Sequence, residues 1–116
     1  MKIINLTPHN INLVASDGSE VVVPPTTPPA RITATPGEKL SLEGPVGFFA
    51  APIWGAVQDL PAQEEGTILL VSLLVAAQCV GRTDVFSPGT GPADGCVRDE
   101  KGLIKAVTRL IQAPLR

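Results

Sequence analysis

The longest apolar run in the chain, Ile68 to Val80, is interrupted only by Ser72 and Gln78, and it limits the fold more than any other stretch. It falls well short of the ~20 residues needed to cross a bilayer, so it has to be buried inside a protein core. Its first part, Thr67 to Val71, reads as a buried strand. Ser72 is a good helix N-cap, because its hydroxyl satisfies an N–H group left open at a helix start. Ser72 to Val80 therefore predicts a short helix, with Gly81 at the position where a left-handed residue is wanted. Leu73, Leu74, Val75, Ala76, Ala77, Cys79 and Val80 leave Gln78 as the sole polar residue after the cap. A helix apolar on every face is expected to be buried on every face, and in so small a chain one of those faces is expected to meet another subunit.

Around this unit the chain is punctuated by turns. Ile3 to Leu6 and Ile11 to Ala15 read as strands, and Ser16-Asp17-Gly18-Ser19 is a hairpin turn leading into Glu20 to Val23. Pro24 to Pro29 lacks the donors for a sheet ladder and predicts an extended connector. Ala30 to Thr35 and Glu38 to Leu42 alternate again around a Pro36-Gly37 turn. Val46 to Trp54 predicts an irregular strand, with Trp54 in the core, and Gly55 to Gly66 a connector. Asp99-Glu100-Lys101-Gly102 predicts a hairpin loop between Val97-Arg98 and Leu103 to Leu110. With 12 prolines, 11 glycines and no repeat or domain boundary, residues 1–116 predict one α+β domain. Its expected architecture is a mostly antiparallel sheet or small barrel with one short buried helix.

Charge excludes some partners. The net charge is −2 and no basic block exists, so duplex nucleic acid is not expected, since backbone binding needs clustered cations. The N-terminal residues lack the apolar core of a signal peptide, and a cytoplasmic protein without a membrane segment is expected. Cys79 and Cys96 predict unpaired, reduced thiols. One His and no Cys or His pair at ligand spacing argue against a metal site. Ser72 sits at a strand-to-helix corner but between Val71 and Leu73 instead of glycines, so it lacks the hydrolase nucleophile elbow.

The richest polar cluster is Gly81-Arg82-Thr83-Asp84 through Ser87-Pro88-Gly89-Thr90-Gly91-Pro92, expected as a loop. It has no Walker spacing, but the Arg82 fork, the Ser87 and Thr90 hydroxyls and the N–H groups from Gly89 onward suit a phosphate or carboxylate. A purely structural Arg82–Asp84 contact is the competing expectation. Thr7, His9 and Asn10 form a second polar turn, where His9 and Asn10 either donate to a ligand or serve the backbone. Arg31, Arg98 and Arg109 fall in predicted strands and supply further positive charge. The expected ligand pocket lies where Arg82 to Thr90 meets Thr7 to Asn10, within the chain or across a subunit boundary, with Arg82 and one of Arg31, Arg98 or Arg109 pairing with negative charge.

The segments Asn5-Leu6-Thr7-Pro8-His9, Pro24-Pro25 with Ala30-Arg31, Leu60-Pro61 to Glu65-Gly66-Thr67, Val71-Ser72, Gly81 to Val85, Ser87 to Pro92 and Val97-Arg98-Asp99 resemble a family of small phage- and prophage-type proteins of an "NLTPH" type. The resemblance covers nearly the whole chain and assigns no catalytic residue. It implies a phage context, in which small compact proteins include sponges that sequester host immune nucleotide signals. The leading expectation is thus a non-enzymatic, cofactor-free homo-oligomer that sequesters a small anionic, nucleotide-like ligand in an anti-defence role. Two alternatives stand beside it: a small nucleotide-processing hydrolase using His9 or Asp84, and a phage structural or assembly protein, which the Pro-rich β beginning suits.

Overall fold

The strand and the helix predicted from the apolar run are at the centre of the molecule, and a second strand, in the segment expected as a polar loop, completes the unit. In a computed structural model that describes residues 1–26 and 28–116, β6 (Thr67–Leu70) runs into α1 (Leu73–Ala77) and returns as β7 (Val85–Pro88). β1 (Lys2–Asn5) lies parallel to β6, β7 lies parallel to β6 on its other side, and β10 (Leu110–Gln112) closes the sheet antiparallel to β7. Leu69, Leu70 and Val71 are all buried, so β6 is covered on both faces. A strand in that position reads as a continuous apolar run because neither face needs polar residues.

Three antiparallel ribbons project from this sheet. β2 (Ile11–Val14) and β3 (Glu20–Val23) form the hairpin predicted at Asp17-Gly18, where Gly18 has φ +87° and the Asp17 carboxylate accepts from the Ser19 N–H and hydroxyl. β8 (Val97–Arg98) pairs with β9 (Ile104–Ala106) across the Asp99–Gly102 loop. β4 (Arg31–Thr35) pairs with β5 (Ile53–Gln58), and the chain between them continues outward to a further bridge between Lys39 and Phe49. Mostly β, with one short helix, the protein has the α+β class expected from its sequence; antiparallel pairing dominates the ribbons, while the central sheet is mixed. Within the Pro24–Pro29 connector, Thr27 lies outside the described residues. Asn5 bridges Pro25, and the Ala30 N–H donates to the Leu6 carbonyl, so the connector follows the open edge of β1.

The core comprises Leu6, Ala30, Leu69, Val71, Val75, Ala76, Cys79, Val85 and Ala113. Two expectations about apolar residues are corrected. The helix ends at Ala77, because the Gln78 and Cys79 N–H groups bond three residues back and tighten its last turn. Within one chain Val75 and Ala76 face the core, whereas Leu73 is 67% exposed and Leu74 and Val80 are exposed as well, which leaves open the side expected to meet another subunit. One layer of sheet beneath so short a helix cannot wrap it. Trp54 is not in the core either, since it stands on β5 in the projecting β4–β5 arm.

That arm gives the molecule its shape. Every residue from Thr33 to Ala56 is exposed apart from the half-buried Gly37. The radius of gyration is 16.9 Å, with extents of 54 × 39 × 26 Å, against about 13 Å for a compact chain of this length.

Candidate functional site

The parallel direction of β1, β6 and β7 decides which polar segments can meet. The carboxyl ends of these strands, Asn5, Leu70 and Pro88, lie at one edge of the sheet. Thr7 to Asn10 follows β1 at that edge, and Gly89 and Thr90 follow β7 there. Arg82 and Asp84 precede β7 and lie at the opposite edge. The segment Arg82 to Thr90, expected as one loop, thus contains a strand. At about 3.3 Å per strand residue its two polar ends stand well over 10 Å apart. Arg82 therefore does not meet the Thr7 to Asn10 turn of its own chain, and the expected composite pocket is not formed within one chain.

The Arg82 guanidinium has another task. Its Nε and Nη2 donate to the two Asp84 oxygens at 2.9 Å each, and Nη2 also donates to the Pro61 carbonyl at 3.0 Å. Asp84 is buried, and the arginine beside it holds its carboxyl below the usual carboxylate range. Around this pair Gln63 donates to the Thr83 hydroxyl, Gln112 donates to the Thr83 carbonyl, and the Gly81 N–H donates to the Pro114 carbonyl. The arrangement is a clamp tying the Pro61–Gln63 connector, the crossover loop and the C-terminal segment to the start of β7. A bidentate fork is the strong form of such a contact, and it leaves little of Arg82 for a ligand.

The turn after β1 is equally self-contained. Asn5 is fully buried; its Nδ2 donates to the His9 and Val23 carbonyls at 2.7 Å, and its Oδ1 accepts from the Thr7 N–H and hydroxyl. Asn5 uses all of its amide capacity, and Thr7 is buried beside it. His9 and Asn10 are exposed outside this knot. The sequence NLTPH therefore encodes a turn whose polar groups satisfy one another.

The remaining candidates are scattered. Arg31 stands 3.6 Å from Asp59 at the base of the arm. Arg98 donates to the Gly102 carbonyl across its own hairpin. Arg109 lies near Asp94 and donates to the Ala93 carbonyl. Ser87 and Gly89 are buried, and Thr90 is exposed. A surface depression of about 760 Å³ lies against the β8–β9 ribbon, lined by Val97 to Lys101, Leu103 and Lys105; of the expected ligand residues only Arg98 borders it. Among the described residues no three of His, Cys, Asp and Glu gather as a metal site, and no helix is long and apolar enough to cross a membrane. Cys79 and Cys96 are unpaired, and burial pushes the Cys79 thiol up from its ordinary pKa.

The largest unexplained chemistry is apolar. Leu40, Leu42, Val46, Phe48, Phe49, Ile53 and Trp54 all stand exposed on the arm. Ile53 faces Thr35 and Trp54 faces Ala34 across the ribbon, so adjacent residues present apolar side chains on opposite faces. The pairing slips between Ile32 and Ala34, where Gly55 lies so close to Thr33 that an added methyl would stand 2.7 Å from its hydroxyl oxygen. This surface was missed in the sequence, although a signal for it was present. Three of the chain's four aromatic residues fall between Phe48 and Trp54, in a stretch from Gly44 to Gln58 that carries no charge.

No known protein family, curated relative or solved structure matches this chain.

Proposed function

We propose that the chain is a non-catalytic binding and assembly protein that works through its β4–β5 arm. The observation that carries this reading is the arm itself: a projecting ribbon with seven exposed apolar side chains and no core of its own. Single exposed hydrophobic residues are ordinary, but seven on one projecting arm, spread over both of its faces, mark a contact site. A two-stranded ribbon is marginal in water, so a partner that covers it also stabilises it. The polar clusters support the same conclusion from the other side, since the Arg82–Asp84 clamp and the Asn5 knot serve the fold. Sequestration of a small anion loses its principal guanidinium to Asp84, and among the described residues no acid and base converge as a hydrolase needs. The resemblance to phage-type proteins would place such a module in particle assembly.

The test compares the full chain with a variant in which residues 37–51 are replaced by a two-residue Asn-Gly turn and which also carries Ile53→Thr and Trp54→Thr. Retention of the thermal transition with loss of all association is expected. A panel of mono-, di- and cyclic nucleotides should be neither retained nor converted by either protein. Turnover of any of them, or unchanged association without the arm, overturns the reading.

A further inference from the structure

We infer that the surface covering the arm is a second copy of this chain, with the two arms packed together and the base of each against the Leu73–Leu74 end of its partner's helix. The inference rests on the assembly reading above and names the partner.

Its first support is area. With full side-chain areas of order 150–250 Å² for the large apolar residues, the exposed fractions on the arm amount to roughly 700 Å² of uncovered apolar surface. A stable interface takes about 800 Å² from each partner, and the arm's sum is taken over both of its faces. The arm therefore supplies most of one side of an ordinary dimer interface.

The second support is charge. From Gly44 to Gln58 there is none, and the charges that flank this stretch, Glu38, Lys39, Glu43 and Asp59, are mixed in sign. Neither an anionic membrane nor a charged protein surface finds a complement here. The uncharged stretch from Gly44 to Gln58 is complementary to itself, which is the condition for a two-fold contact using the same patch twice.

The third support is that both faces of the ribbon are open, so one flat surface cannot cover it. A second copy offers two apolar surfaces: its own arm, and the outward side of α1, which packs beside β4 and exposes Leu73 and Leu74. An arm lying between them is covered on both faces. The same arrangement buries the helix side that this chain leaves in solvent.

Sedimentation equilibrium of the purified chain, from 1 to 100 µM, tests the inference with Ile53→Asp and Leu73→Asp beside the parent. Both positions are exposed (70% and 67%), so the monomer should fold in each variant, as circular dichroism will check. The parent should be dimeric at micromolar concentration, and each variant should weaken the dimer by at least a hundredfold. A benzophenone amino acid at Phe49 should crosslink to the arm or to α1 of another copy. A monomeric parent at 100 µM overturns the inference, as does a dimer indifferent to Ile53→Asp. A monomer that binds neutral phosphatidylcholine vesicles through Phe49 also overturns it, but leaves the arm as a contact site. Loss of the assembly reading itself would show differently, as nucleotide turnover or association that survives removal of the arm.

Discussion

Asn5 shows how much a single side chain carries in a protein with a small core. Its amide closes the turn after β1 and holds the end of β3, 18 residues away, through the Val23 carbonyl. Asn5→Ala would leave the Val23 carbonyl and the Thr7 N–H without their side-chain partner in a buried place, while the His9 carbonyl keeps the Thr7 hydroxyl. Each such loss costs about 1–3 kcal/mol, so a total near ~3 kcal/mol is expected, read as a lowered urea midpoint. Asp84 makes a second residue-scale test. Its carboxyl titrates below the ordinary value of 3.8 because Arg82 donates to it twice. The stability it contributes is therefore complete above about pH 4 and is lost as pH falls through the lower, folded-state value. Asp84→Asn should cost ~2 kcal/mol at pH 7, less than the ~3–5 of a fully enclosed pair because Arg82 is partly exposed. That difference from the parent should shrink steadily below pH 4. A difference that stays constant from pH 7 to pH 2.5 would exclude the ion pair as its source.

At the scale of elements, legibility followed the range of the interactions involved. The Asp17-Gly18 and Asp99–Gly102 hairpins, the β6 strand and the Ser72 cap were readable because their causes lie within a few residues. Ser72 does accept from the Val75 N–H, at 3.4 Å. A bond that long makes the cap a modest one, and Ser72→Ala should lower stability by about 0.5–1 kcal/mol, measurable as a small fall in melting temperature with association unchanged. β7 was hidden because Val85–Pro88 sits among prolines, glycines and polar residues. It becomes a strand only when β6 and β10, from distant parts of the chain, supply hydrogen bonds on both sides. With that strand unseen, two polar clusters at opposite sheet edges read as one loop, and a ligand site was assembled from residues that never meet. The helix was misjudged only in its extent, which stops at Ala77; its apolarity on every side asks for cover on every side, and the side this chain leaves open is the one expected to meet another subunit.

At the scale of the whole molecule, the arm and the half-covered helix are two parts of one deficit, since the isolated chain exposes apolar surface that its own fold cannot reach. That deficit should be visible to a protease. Lys39 is the only basic residue between Arg31 and Arg82, and it lies exposed on the arm, bridged to Phe49. In a lone chain the ribbon around it has few buried contacts and opens locally at low cost. Trypsin should therefore cut first at Lys39, giving fragments 1–39 and 40–116. When a second copy covers the arm, opening requires the dimer to come apart, and the cleavage rate should fall as protein concentration rises at a fixed protease concentration. Ile53→Asp removes that protection without altering the site of cleavage, so its rate constant should stay the same from 1 to 100 µM. If the parent shows the same indifference to concentration, the arm is uncovered in the purified protein, and its partner has to be sought among other molecules.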